Sequence, residues 1–94
     1  MDQKWAPIFR SIMEETSKKF DEYRGFASSF HPKPLQIIIK TDLHESKWWW
    51  NTDKKVEEIV DYVEAIIDIK REELAVEKIP LDIIVRGENN KQLN

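Results

Sequence analysis

Trp5, Ile8, Phe9, Ile12, Met13, Thr16, Phe20 and Tyr23 recur at helical spacing near the start of the chain. At 100° per residue they fill an arc of roughly 140°, with Arg10, Glu14, Ser17, Lys18 and Asp21 opposite. The pattern predicts an amphipathic helix over 4–24. Pro7 fits its first turn, where a missing N–H costs nothing, and Gly25 fits the position just past its end. Residues 25–34, GFASSFHPKP, read as a connector, because Pro32 and Pro34 disfavour helix for themselves and for His31 and Lys33 before them. LQIIIKT at 35–41 reads as a strand, since β-branched isoleucines favour a pleated backbone. Its alternation sends Leu35, Ile37 and Ile39 to one side and leaves Ile38 as the apolar residue on the other.

DLHES at 42–46 reads as a turn, and Lys47-Trp48-Trp49-Trp50 as a short second strand, hairpin-paired to the first. Asn51, Thr52 or Asp53 can cap the helix that follows. That helix, over 53–77, gathers Val56, Ile59, Val60, Val63, Ile66, Ile67, Lys70 and Leu74 on one face, widened by Tyr62 and Ile69. Lys70, inside this arc, is expected to snorkel past Ile66 and Leu74. Pro80 marks a break, and LDIIVR at 81–86 reads as the last strand, with Leu81, Ile83 and Val85 facing the core. The polar run GENNKQLN at 87–94 is expected to be a frayed C-terminal tail.

These elements predict an α+β fold of one small domain, 1–94. It is a two-layer sandwich in the order α-β-(β)-α-β, with two helices on one face of a two- or three-stranded sheet. With the Trp strand present, strand 35–41 sits between it and the last strand, and all neighbours are antiparallel. Without it, 35–41 and 81–86 form a parallel pair too small to stand alone. On the uncovered face, Ile38, Trp49 and Ile84 form an apolar stripe among Gln36, Lys40, Asp82 and Arg86, a candidate contact surface.

Charge adds a second surface. The chain carries a net charge of −3. Residues 53–78 hold five bases and nine acids, and 5 − 9 = −4, so this helix accounts for the acidity of the whole. Glu57, Asp61, Glu64, Asp68 and Glu72 form a stripe opposite the apolar face. Like charges at this spacing repel by a few tenths of a kcal/mol per pair. A solvated helix face is the ordinary explanation; an electronegative surface for a basic partner is the functional one. The chain lacks the basic stripe of a duplex-binding domain, so nucleic acid is an unlikely partner. The absence of cysteine excludes disulfides and thiolate chemistry. No apolar run reaches the length of a membrane span, and Met1–Arg10 lacks the pattern of a signal peptide, so no membrane association and a cytoplasmic location are expected.

Candidate chemistry is thin. Asp42, His44 and Glu45 cluster in a turn and could be joined by His31, but the spacing matches no zinc pattern. Ser28 and Ser29 stand near His31 without a nucleophile elbow, and Pro32-Lys33-Pro34 is too short for a polyproline motif. No catalysis, metal or cofactor is expected. Lys47-Trp48-Trp49-Trp50 could stack on unpaired bases, anchor a protein contact or fill the core. The leading expectation is a small acidic protein-binding module: an inhibitor, immunity-type neutraliser or accessory factor for a basic protein. Glu57, Asp61, Glu64 and Asp68 would steer association, and Ile38, Trp49 and Ile84 would anchor it. A homodimeric structural protein and a single-strand nucleic-acid binder are the alternatives. An enzyme built on Asp42, His44 and Glu45 ranks below them.

Overall fold

The structure, a computed structural model, describes residues 2–29, 34–43 and 51–94. The elements are α1 (Asp2–Lys19), β1 (Tyr23–Ser29), β2 (Leu35–Thr41), α2 (Asn51–Leu74) and β3 (Leu81–Arg86). The strands form one mixed sheet in the order β1-β2-β3, covered on one face by both helices. The α+β order with 35–41 as the central strand is as the sequence predicts. The third strand, however, comes from 23–29. The predicted Trp strand at 47–50 lies outside the described residues.

Helix α1 buries Ile8, Ile12 and Thr16 completely, a row four residues apart that Phe20 extends past the last turn, and Trp5, three residues before Ile8, nearly so. Met13, on the edge of the predicted face, is 40% exposed. The helix stops at Lys19 rather than running to 24. Phe20 N–H still donates to the Thr16 carbonyl at 2.9 Å, but Tyr23 N–H turns onto the Phe20 carbonyl at 3.2 Å and the chain enters β1. Because α1 starts at Asp2, Pro7 stands one turn inside it and leaves the Gln3 carbonyl without its helical donor.

β1 pairs antiparallel with β2, from Tyr23 against Thr41 to Ser29 against Gln36, with a shift between Tyr23 and Gly25 that leaves Arg24 as the extra residue. Gly25 therefore belongs to a strand irregularity and not to a helix end. β2 buries Leu35, Ile37, Ile39 and Thr41 and leaves Gln36 and Ile38 half-buried, as its alternation predicts. β2 and β3 are parallel and in register from Leu35 against Leu81 to Lys40 against Arg86. This corrects the all-antiparallel arrangement expected with a Trp strand and agrees with the parallel pairing of 35–41 and 81–86 expected without it. Helix α2 carries the chain back to the level where β2 began, and a helical crossover of this kind is the usual link between parallel strands.

α1 packs against α2 and β1, and α2 packs against β3. α2 buries Val56, Ile59, Val63 and Ile67 at i, i+3 and i+4 spacing, while Val60, Tyr62, Ile66 and Lys70 are half-buried. Ile69 and Leu74, expected on the apolar face, are 58% and 45% exposed. The helix ends at Leu74 because Ala75 turns left-handed, with φ 55°. Val76 N–H then bonds the Arg71 carbonyl at 2.9 Å, Ala75 N–H reaches the Glu72 carbonyl at 3.4 Å, and Val76 is buried. This is the hydrogen-bond pattern of a Schellman cap, whose left-handed position favours glycine. Ala75→Gly is expected to stabilise the fold by about 1 kcal/mol, read as a higher urea midpoint at unchanged slope. An unchanged or lower midpoint would refute the cap.

Residues 87–94, expected to fray, fold back along the outer edge of β3. Gly87 N–H bonds the Lys91 carbonyl at 2.8 Å, and Asn90 N–H bonds the Gly87 carbonyl at 2.9 Å. Asn90 adopts φ 61°, a conformation its side chain tolerates. Gln92 then bridges Arg86 in the antiparallel sense. Leu93 packs against the main core, and its N–H donates to the Val85 carbonyl at 2.7 Å. One apolar side chain thus fixes an otherwise polar segment.

Candidate functional site

The outward stripe of α2 is acidic because acids outnumber bases along it, and three of the helix's four bases have partners of their own. Lys55 lies 3.9 Å from both Glu22 and Glu58 and 5.6 Å from the Phe20 ring. Lys70 pairs with Glu73 at 3.0 Å. Arg71 approaches Asp68 at 3.6 Å and also donates to the Val76 carbonyl, beside the helix cap. Of the predicted steering residues, Glu57, Asp61, Glu64 and Asp68 are all exposed. Glu57, Asp61 and Glu64 have no ion-pair partner among the described residues. Exposed ion pairs are individually weak, so what matters here is the uncompensated field.

Between α2 and the β3 edge run two clefts. One, of about 400 Å³, is lined by Glu64, Ile67, Asp68 and Arg71 of α2 and by Lys78–Leu81 leading into β3. The other, of about 360 Å³, lies toward the start of α2, where Asp53, Val56, Glu57 and Val60 face Leu93 and Asn94. Their walls carry the acids Asp53, Glu57, Glu64 and Asp68 against the bases Arg71 and Lys78, so the charge along them is 2 − 4 = −2. Their apolar floor comes from Val56, Val60 and Leu93 at one end and Ile67, Ile79 and Leu81 at the other.

The apolar stripe predicted on the open sheet face is smaller than expected. Register places Ala27, Ile38 and Ile84 in one row across the three strands. Ile38 is half-buried, but Ile84 is only 8% exposed and offers a partner little area. Ile84 is therefore dropped as an anchor. Trp49 lies outside the described residues. The four acids share one exposed helix face, and among the described residues Ile38 is the one predicted anchor that keeps appreciable exposure.

Of the turn cluster, only Asp42 lies among the described residues. Asp42 forms a salt bridge with Arg24, whose guanidinium also donates to the Asp21 carbonyl at 2.7 Å and the Tyr23 carbonyl at 2.8 Å. Asp42 is therefore a strut between β1 and the end of β2. His31, His44 and Glu45 lie outside the described residues. Among the described residues no three His, Asp or Glu side chains converge as metal ligands would. Burial pushes the Tyr23 hydroxyl above its ordinary value of 10.0, so it stays protonated at neutral pH. No described helix is long and apolar enough to cross a membrane. Compared with family models, curated proteins and solved structures, the chain matches none of them.

The sequence reading missed the β3 edge. Its signal was slight: Leu93 is the single apolar residue in 87–94. Nothing local told that it packs against the core.

Proposed function

We propose that the chain is a non-catalytic protein-binding module that engages a basic partner through the outward face of α2. Such a module could serve as an inhibitor, an immunity-type neutraliser or an accessory factor. The observation that supports this reading is the row Glu57, Asp61 and Glu64, exposed and without ion-pair partners among the described residues. Such a row raises the local concentration of a positively charged surface and speeds its encounter.

The test is a charge reversal. Asp61→Lys with Glu64→Lys adds two charges at each position and moves the net charge from −3 to +1. A protein captured by the native chain, then purified, is expected to be basic and to lose about tenfold or more in association rate against the double variant. Its association with the native chain is expected to slow by a similar factor as salt is raised well above physiological strength. Association that is indifferent to both changes would overturn the proposal.

A further inference from the structure

The outer edge of β3 is already used as a strand-binding edge by the chain itself. Pro80 accepts a hydrogen bond from Leu35 N–H at 3.3 Å, so the backbone of even-numbered residues in this stretch faces β2. Backbone direction alternates along a strand, which turns the N–H and carbonyl groups of Leu81, Ile83 and Val85 outward. At Val85 the carbonyl accepts from Leu93 N–H at 2.7 Å. The Val85 N–H donates to Asn94 Oδ1 at 2.8 Å, and Asn94 Nδ2 donates to the Ile83 carbonyl at 2.7 Å. The Asn94 side-chain amide therefore stands where the next peptide unit of a neighbouring strand would stand. Beyond it, toward Leu81, the edge opens into the 400 Å³ cleft floored by Ile67, Ile79 and Leu81.

We infer that this edge, with the acidic wall of α2 beside it, is a strand-addition site for an extended basic segment of a partner protein. The incoming segment runs antiparallel to β3, as Gln92 already does against Arg86. It takes the backbone groups of Val85 and Ile83 from Leu93 and Asn94, and reaches Leu81 as well. Alternate side chains enter the apolar clefts, and the others meet walls of net charge −2, whose acids Asp53 and Glu57 stand without a base at the end beside Leu93, a field that selects lysine and arginine over acids there. Residues 92–94 act as a resident competitor. The inference rests on the proposed acidic module and adds its mode of engagement.

The probe is a ten-residue peptide alternating lysine and valine, titrated into the isotopically labelled full chain and followed by amide resonances. The expected result is shifts at Ile83–Arg86 together with movement of Leu93 and Asn94. Asn94→Ala is expected to tighten binding about threefold to tenfold, because two hydrogen bonds no longer hold the competitor in place. Shifts confined to the face around Glu57–Asp68, with Leu93 and Asn94 unmoved, would overturn strand addition while leaving the acidic module standing. No shift at low salt would overturn both. Equal or weaker binding by Asn94→Ala would remove the competitor role and the inference with it.

Discussion

Ile39→Ala is expected to cost about 2–5 kcal/mol of folding stability, and its neighbour Ile38→Ala about 1 kcal/mol or less. The two residues are identical in chemistry and adjacent in one strand. Ile39 is 0% exposed, within the cluster that also holds Ile8, Ile12, Ile59 and Val85. Truncating it leaves a cavity walled by both helices and two strands, which cannot collapse without moving an element. Ile38 lies half-buried on the opposite face, outside that cluster, so its truncation removes fewer packed contacts. A 94-residue domain has a total stability of about 5–14 kcal/mol, so the first substitution removes a large share of it. Urea unfolding of the two variants decides the matter through the difference in midpoints. Equal losses would mean that the helices do not cover the side of the sheet bearing Ile39.

The same strand shows why much of the fold was legible. A run of isoleucines with polar flanks fixes both strand and register, because slipping by one residue would put Gln36 and Lys40 in the core. The i, i+4 row from Ile8 to Phe20 fixes α1 in the same way. β1 was not legible on these terms. YRGFASS contains glycine, alanine and serine, which have little intrinsic preference for a strand. What makes it a strand is pairing with β2, together with the ring contact from Phe9 of α1 to Phe26 at 5.5 Å. Tyr23 continued the periodicity of α1 in sequence, and tertiary pairing overrode that local signal.

The acidic half of the candidate site was legible for a related reason. A charged stripe at helical spacing follows from residue order alone, and α2 holds only four bases that could neutralise it. Its apolar half depended on which strands flank β2 and on how deeply each row is covered. Ile84 shows the gap: alternation puts it opposite Ile83 and Val85, yet it is nearly as buried as Ile83, at 8% against 9%. Alternation sets direction, while depth is set by neighbours distant in sequence. The groove between α2 and β3 has the same origin, since Leu93 and Val60 come together only when the last residues fold back.

That folding back hinges on Gly87, and Gly87→Ala is expected to cost about 2–3 kcal/mol. A Cβ at this position would stand 2.6 Å from the Leu43 carbonyl oxygen and 3.1 Å from Leu93 Cδ1. The first distance is shorter than real Cβ contacts allow, and the oxygen is not free to retreat. It already accepts the Glu88 N–H at 2.9 Å, and the Leu43 N–H lies 3.2 Å from Thr41 Oγ1, which itself donates to the Arg86 carbonyl at 2.7 Å. Relief must come from the segment 87–94, which then loses its bonds to Val85 and Ile83. Gly25→Ala is the control, because its added Cβ would meet Lys40 Cδ at an ordinary 3.6 Å and should change stability by about 1 kcal/mol or less. The check is urea unfolding of both variants with amide exchange at Val85 and Leu93. Gly87→Ala should expose both amides even under conditions where the core stays protected. If it unfolds like the native chain and keeps those amides protected, the close approach of Gly87 to Leu43 is not what holds the segment on β3.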